Sequence, residues 1–93
     1  MKTRVVNKYI ESFDVYIGRG SIWGNPFVMG RDGDRDEVIE KYELWLLGHI
    51  SAPGNPEKPT LTKAKQELKG RVLGCFCKPK NCHGDVLVKI LER

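Results

Sequence analysis

The sequence predicts an α/β domain: a small, mostly parallel three-stranded sheet covered by about three helices, with residues 1–93 forming a single unit. Short β-branched and aromatic runs alternate with segments whose apolar residues recur at helical spacing, a pattern that builds parallel sheets with helical crossovers. Clusters of glycine and proline separate these runs. A chain of 93 residues that is 40% hydrophobic and 30% charged has the composition of a globular domain and room for one hydrophobic core.

Arg4 to Tyr9 reads as the first strand, with Val5 and Val6 as its apolar part. Asp14 to Arg19 is the second, because Val15, Tyr16 and Ile17 favour a pleated surface and Gly18 ends the run. Gly20 to Gly33 is a turn-rich loop that carries two large aromatics, Trp23 and Phe27. A helix follows, capped by Asp34 or Asp36, with Val38, Ile39, Tyr42, Trp45 and Leu46 on one face, a Glu37–Lys41 pair outside and Gly48 at its end. Ser51 to Pro59 is a connector rich in proline. Thr60 or Thr62 caps a second helix that buries Leu61, Ala64 and Leu68 and stops at Gly70. In the third strand, Arg71 to Cys77, Val72, Gly74 and Phe76 point one way and Leu73, Cys75 and Cys77 the other. After a turn at Lys78 to Asn81, the last helix begins near Cys82 or His83 and buries Val86, Leu87, Ile90 and Leu91.

Composition narrows the function classes. No apolar run approaches the roughly 20 residues needed to span a bilayer, so no membrane partner is expected. Met1 to Arg4 leads into a strand-like run without a signal-peptide core, and the protein is expected to stay in the cytoplasm. The three cysteines all fall between Cys75 and Cys82, which is too local for a disulfide framework. The net charge of +4 is spread along the chain; it favours anionic partners without separating nucleic acid from a small phosphate-bearing molecule.

The chemistry concentrates in two segments. In the first, Cys75-Phe-Cys-Lys-Pro-Lys-Asn-Cys-His-Gly-Asp85, thiols at a strand's C-terminal end are followed by Cys82 and His83 where a helix begins. Ligands bind at such junctions in α/β sheets. The helix N-terminus favours an anion and lowers a thiol's pKa, which makes Cys82 the candidate nucleophile and His83 the candidate acid/base. Three readings stay open: a ligand or active site in which Cys82, His83 and Asp85 face an anionic substrate, a zinc site of Cys75, Cys77, Cys82 and His83, and plain packing of the strand cysteines. Under the first reading no cofactor is required; under the second the cofactor is zinc.

The second segment, Gly18-Arg-Gly-Ser-Ile-Trp-Gly-Asn-Pro-Phe27, follows a strand as phosphate-binding loops do, yet is neither G-x-G-x-x-G nor a P-loop. Gly18, Gly20 and Gly24 offer approachable backbone, and Arg19 and Ser21 suit phosphate or ribose. Trp23 can stack a base, and Asn25 can read polar edges. The alternative is that Trp23 and Phe27 plug the open end of a small core.

Together, Val15 to Phe27 and Leu73 to Leu87 resemble a small uncharacterised family of phages and bacteria known as domain of unknown function 4326, in a match that covers nearly the whole chain. The resemblance implies a phage or mobile-element accessory protein and no particular activity. A second uncharacterised family, with a Cys…Cys-His-Arg ending, is similar only in Cys77, Cys82 and His83, since Gly84 stands where that family has Arg.

The expected function is binding, with processing left open, of a nucleotide-like, phosphate-bearing ligand where the two segments converge, with Cys77 and Asp85 completing the wall. The alternatives are a zinc-stabilised module that binds nucleic acid or a host protein, and an interaction protein with no small ligand. Trp45 is expected to have an ordinary core role.

Overall fold

Val5 and Val6 lie in β1 (Arg4–Asn7), an edge strand of the sheet in the computed structural model, which describes residues 2–92. The strand stops at Asn7, whose carbonyl accepts from the Ile10 (3.0 Å) and Glu11 (3.1 Å) N–H groups in a turn, while its side-chain amide donates to the carbonyls of Phe76 (3.3 Å) and Lys78 (2.9 Å). The opposite edge is β2, reduced to Val15–Tyr16. Both edges pair in parallel with β3 (Val72–Cys75), giving the order β1-β3-β2, with Val5 and Val15 flanking Leu73 and with Val6 and Tyr16 flanking Gly74. All three strands are shorter than the sequence runs that contain them.

The helices follow the predicted signals with local corrections. Asp34 caps α1 (Arg35–Leu46) by accepting from the Glu37 N–H, and Glu37 returns the bond to the Asp34 N–H, a reciprocal capping box. Glu37 is thereby committed, and Lys41 turns instead to the Asp32 carbonyl, so the expected Glu37–Lys41 pair does not form. Thr60 caps α2 (Leu61–Leu68), in which Ala64 and Leu68 are buried but Leu61 is exposed at the first position. Cys82 is the N-cap of α3 (His83–Leu91), with Val86, Leu87, Ile90 and Leu91 in the core.

Side-chain alternation along β3 decides which face of the sheet is covered. Leu73 and Cys75 point into the core with Ile17, Tyr42 and Leu87. Gly84 lets the start of α3 lie flush on this face: a Cβ there would stand 2.7 Å from Val5 Cγ2 and 2.8 Å from Ile17 Cδ1. On the other face, Gly74 leaves room for the Phe13 ring, which a Cβ would meet at 2.5 Å. Beyond it Tyr9, Tyr16 and Phe76 cluster around the Lys8 ammonium, which lies 4.8 Å from the centroids of Tyr16 and Phe76. Among the described residues no helix is long and apolar enough to cross a membrane.

Candidate functional site

The loops that leave β2 and β3 at their C-terminal ends meet each other. Gly18 and Arg19 come from the first, Cys77 and Asn81 from the second, and the opening of α1 closes the third side with Arg35, Val38 and Ile39. Between them lies a cleft of about 130 Å³, floored by Cys75, Cys82 and His83 and walled by Phe27, Met29 and Phe76. The walls are mostly apolar. Two arginines line it, and no aspartate or glutamate does among the described residues. One Arg35 N–H donates to the Asn81 carbonyl (3.1 Å), which ties α1 to the β3–α3 loop and leaves the rest of the guanidinium fork unspent. Arg19 is exposed at the mouth, near enough to His83 to oppose its protonation.

The seam between the two segments is a hydrogen bond. His83 Nε2 lies 2.6 Å from the Ile17 carbonyl, so that nitrogen carries the proton and donates, and Nδ1 is left as the acceptor. The ring stands edge-on to Tyr42, with centroids 5.0 Å apart. Burial holds the imidazole pKa below its ordinary value, with Arg19 adding to the effect against the opposing pull of the Ile17 carbonyl and Asp85. His83 therefore enters the cleft as a neutral group.

Beside it, Cys75 Sγ and Cys82 Sγ are 3.3 Å apart, and each residue is only 1% exposed. A hydrogen bond joins the two sulfurs. With further bonds from the Cys77 and Lys78 backbone N–H groups and the nearby Lys78 ammonium, that draws the Cys75 pKa down to about 6. Cys82 is pushed well above the usual thiol range, because losing its proton would break that bond and place two thiolates in contact. Among the described residues no group of three or more histidine, cysteine, aspartate or glutamate side chains is arranged to hold a metal.

Comparison with known proteins gives the family. The family model described as "Domain of unknown function (DUF4326)" matches residues 2–93. The chain belongs to this family. It is 45% identical over 92 residues to an uncharacterized 12.4 kDa protein from the nrdA-td intergenic region of Enterobacteria phage T4, a match covering 97% of this chain and 78% of the relative. It is 30% identical over 104 residues to an uncharacterized protein of Acanthamoeba polyphaga mimivirus, covering 92% of this chain and 72% of that one. No solved structure matches.

In this DUF4326 domain the predicted site residues divide into groups. Gly18, Arg19, Asn25, Cys77, Cys82 and His83 line the cleft. Gly20, Ser21 and Gly24 instead line a shallower groove beside the connector, where they meet Trp45, Pro56 and Glu57. Ser21 is spent within the loop, its Oγ donating to the Gly18 carbonyl at 2.7 Å, and Gly24 packs so closely that a Cβ would lie 2.8 Å from the same oxygen. The Asn25 amide donates to the Val38 carbonyl (3.0 Å) and accepts from the Phe27 N–H (2.9 Å), so it clamps loop to helix at the cleft wall. Trp23 does not reach the cleft. It is 3% exposed in the core, and its carbonyl accepts from the Tyr42 hydroxyl at 2.6 Å, so the stacking role expected for it gives way to a core role. Asp85 lies outside the cleft: it pairs with Lys78 and accepts from the Cys82 N–H (3.1 Å), completing the α3 cap. Cys82, expected to be the activated thiol, lies against the Cys75 sulfur, which pushes its pKa up against the pull of the helix field.

Two polar cleft residues escaped the sequence reading. Arg35 occupies the first turn of α1, where the helix dipole disfavours a cation; that mismatch is the signal that could have singled it out. Nothing in the pattern marked Asn81.

Proposed function

We propose that the protein binds a nucleotide-like, phosphate-bearing small molecule in this cleft. The observation that carries the reading is the lining itself: apolar walls, two guanidinium groups and no carboxylate among the described residues. An apolar cavity of about 150 Å³ accepts a benzene-sized ring, so a space of this order takes one planar ring and leaves the rest of a ligand at the open mouth. Arg19 and Arg35 stand where a phosphate would lie, and arginine recognises phosphate through paired N–H donors. Neutral His83 presents Nδ1 as an acceptor for a ring N–H or a ribose hydroxyl. Gly20, Ser21, Gly24 and Trp23 have no part in this version, which is narrower than the sequence expectation. The relatives with this family's sequence are viral, in keeping with an accessory protein of a virus or mobile element.

The test is a panel of nucleoside mono-, di- and triphosphates, the matching nucleosides and inorganic phosphate, screened by thermal melting and followed by calorimetric titration. At least one nucleotide raises the melting temperature where its nucleoside and phosphate alone do not. Arg35→Gln and Arg19→Gln each weaken that binding about tenfold to a hundredfold, the worth of one charge-assisted hydrogen bond. If no nucleotide stabilises the protein, or if both arginine variants bind as the parent does, the reading is wrong.

A further inference from the structure

The cleft floor carries chemistry that ligand binding does not use. Cys75 ends β3 and Cys82 caps α3, so two rigid elements present the thiols to each other across the loop of residues 76–81, at 3.3 Å between sulfurs. A disulfide requires about 2.05 Å, a small contraction along a contact that already exists. Both side chains are closed to bulk solvent yet border the cleft, which is the approach open to a small oxidant. Cys77, half-buried and lining the same cleft, is a third thiol without a sulfur partner among the described residues and serves as an internal reference.

We propose that Cys75 and Cys82 form a reversible dithiol–disulfide site oxidised by hydrogen peroxide. Cys75, as thiolate, attacks one peroxide oxygen; the O–O bond breaks, Cys75 becomes a sulfenic acid, and the departing hydroxide takes up a proton to leave as water. Cys82 then attacks the Cys75 sulfur. Its proton leaves with the displaced hydroxide as a second water, and the S–S bond closes. In sum, two thiols and one peroxide give one disulfide and two waters, a two-electron oxidation of the protein that a small dithiol reverses. The proton distribution in the pair supports the order of events, since Cys75 is the sulfur whose pKa lies near 6 and Cys82 is the one that keeps its proton. The inference is independent of what the cleft binds.

The experiment uses the whole chain, reduced, freed of reductant, treated with hydrogen peroxide, and then unfolded in denaturant that contains iodoacetamide so that every free thiol is alkylated. Intact mass shows the loss of two hydrogens and one remaining alkylated thiol, and a small dithiol restores three alkylated thiols. Cleavage after Lys80 separates Cys75 and Cys77 from Cys82, so the non-reduced digest contains a linked pair of peptides, and fragmentation assigns the link to Cys75. Cys82→Ser accumulates a dimedone-reactive sulfenic acid on Cys75, and Cys77→Ser oxidises like the parent. A link through Cys77, oxidation of Cys77 at least as fast as loss of the Cys75 thiol, or over-oxidation with no internal link overturns the proposal. The parent digest decides the matter even if a serine variant of the buried pair does not fold.

Discussion

Replacing Trp23 separates a ligand-stacking ring from a core plug, and the structure sets the expected size of the effect. The residue is 3% exposed, close to the 5% of Trp45, and both belong to the same core cluster with Phe27 and Tyr42. Emptying a large aromatic position costs about 3–5 kcal/mol. A small domain is stable by about 5–15 kcal/mol in total, so Trp23→Ala removes a large part of the margin and Trp45→Ala does the same. Each variant keeps the other tryptophan as a fluorescent reporter, so urea unfolding of both is followed by one signal, with far-UV circular dichroism as a second. Trp23→Phe, which keeps an aromatic filling, loses less stability and binds any nucleotide that stabilises the parent with unchanged affinity. Should Trp23→Ala unfold within about 1 kcal/mol of the parent while Trp45→Ala loses the full amount, the core assignment of Trp23 fails. A selective loss of nucleotide affinity in Trp23→Phe would return the ring to the ligand site.

Tyr42→Phe deletes only the hydroxyl that holds the Trp23 carbonyl at 2.6 Å and keeps the ring against His83; leaving that buried acceptor unpaired costs about 1–3 kcal/mol in chemical denaturation. Gly84→Ala forces a methyl against Val5 and Ile17 where α3 meets the sheet, and the overpacking costs about 1–3 kcal/mol even though alanine favours the helix; an unchanged melting temperature would show that α3 does not sit this close. His83 gives stability a pH dependence. Its folded pKa is depressed by burial, while in the unfolded chain it is about 6.5, so below about pH 6.5 the unfolded state takes up a proton that the folded state refuses. Stability is thus complete above that pH and declines as pH falls through it toward the folded value, and His83→Gln flattens the decline. The Glu92 carboxylate, held below its usual pKa by the Thr3 N–H and hydroxyl, acts in a separate window, its contribution being lost only as pH falls below about 4.3.

The fold was legible wherever local pattern and tertiary packing agree. The alternation along Val72–Cys75 and the apolar face of His83–Leu91 specify a central strand and a covering helix, and both formed. Strand ends were not legible, because individual turn bonds that no periodicity marks set them: the Asn7 carbonyl accepts from the Ile10 and Glu11 N–H groups after β1, while the Ser21 and Gly24 N–H groups fold the chain after β2 into tight turns. Leu61 looked like a core residue by spacing, yet it stands at the first position of α2, before the helix has turned toward the core.

The candidate site shows the same division more sharply. Motif reading placed both segments at strand ends, which is enough for them to meet, since β2 and β3 are parallel neighbours whose C-terminal ends lie side by side. What each side chain does there depends on partners far along the chain. Asn25 answers to Val38, the Trp23 carbonyl to Tyr42, and His83 to Ile17. The thiols make the point in energetic terms. A helix N-terminus acts on Cys82 through partial charges, worth roughly 0.3–1 kcal/mol in an ordinary setting. The Cys75 sulfur acts at 3.3 Å, and with the Cys77 and Lys78 N–H groups also aimed at that sulfur, the Cys75 pKa is drawn down and that of Cys82 pushed up. A residue's place in its own element therefore gives only part of a thiol's environment, while the pair itself lay in plain sight in the sequence as two cysteines on either side of one short loop.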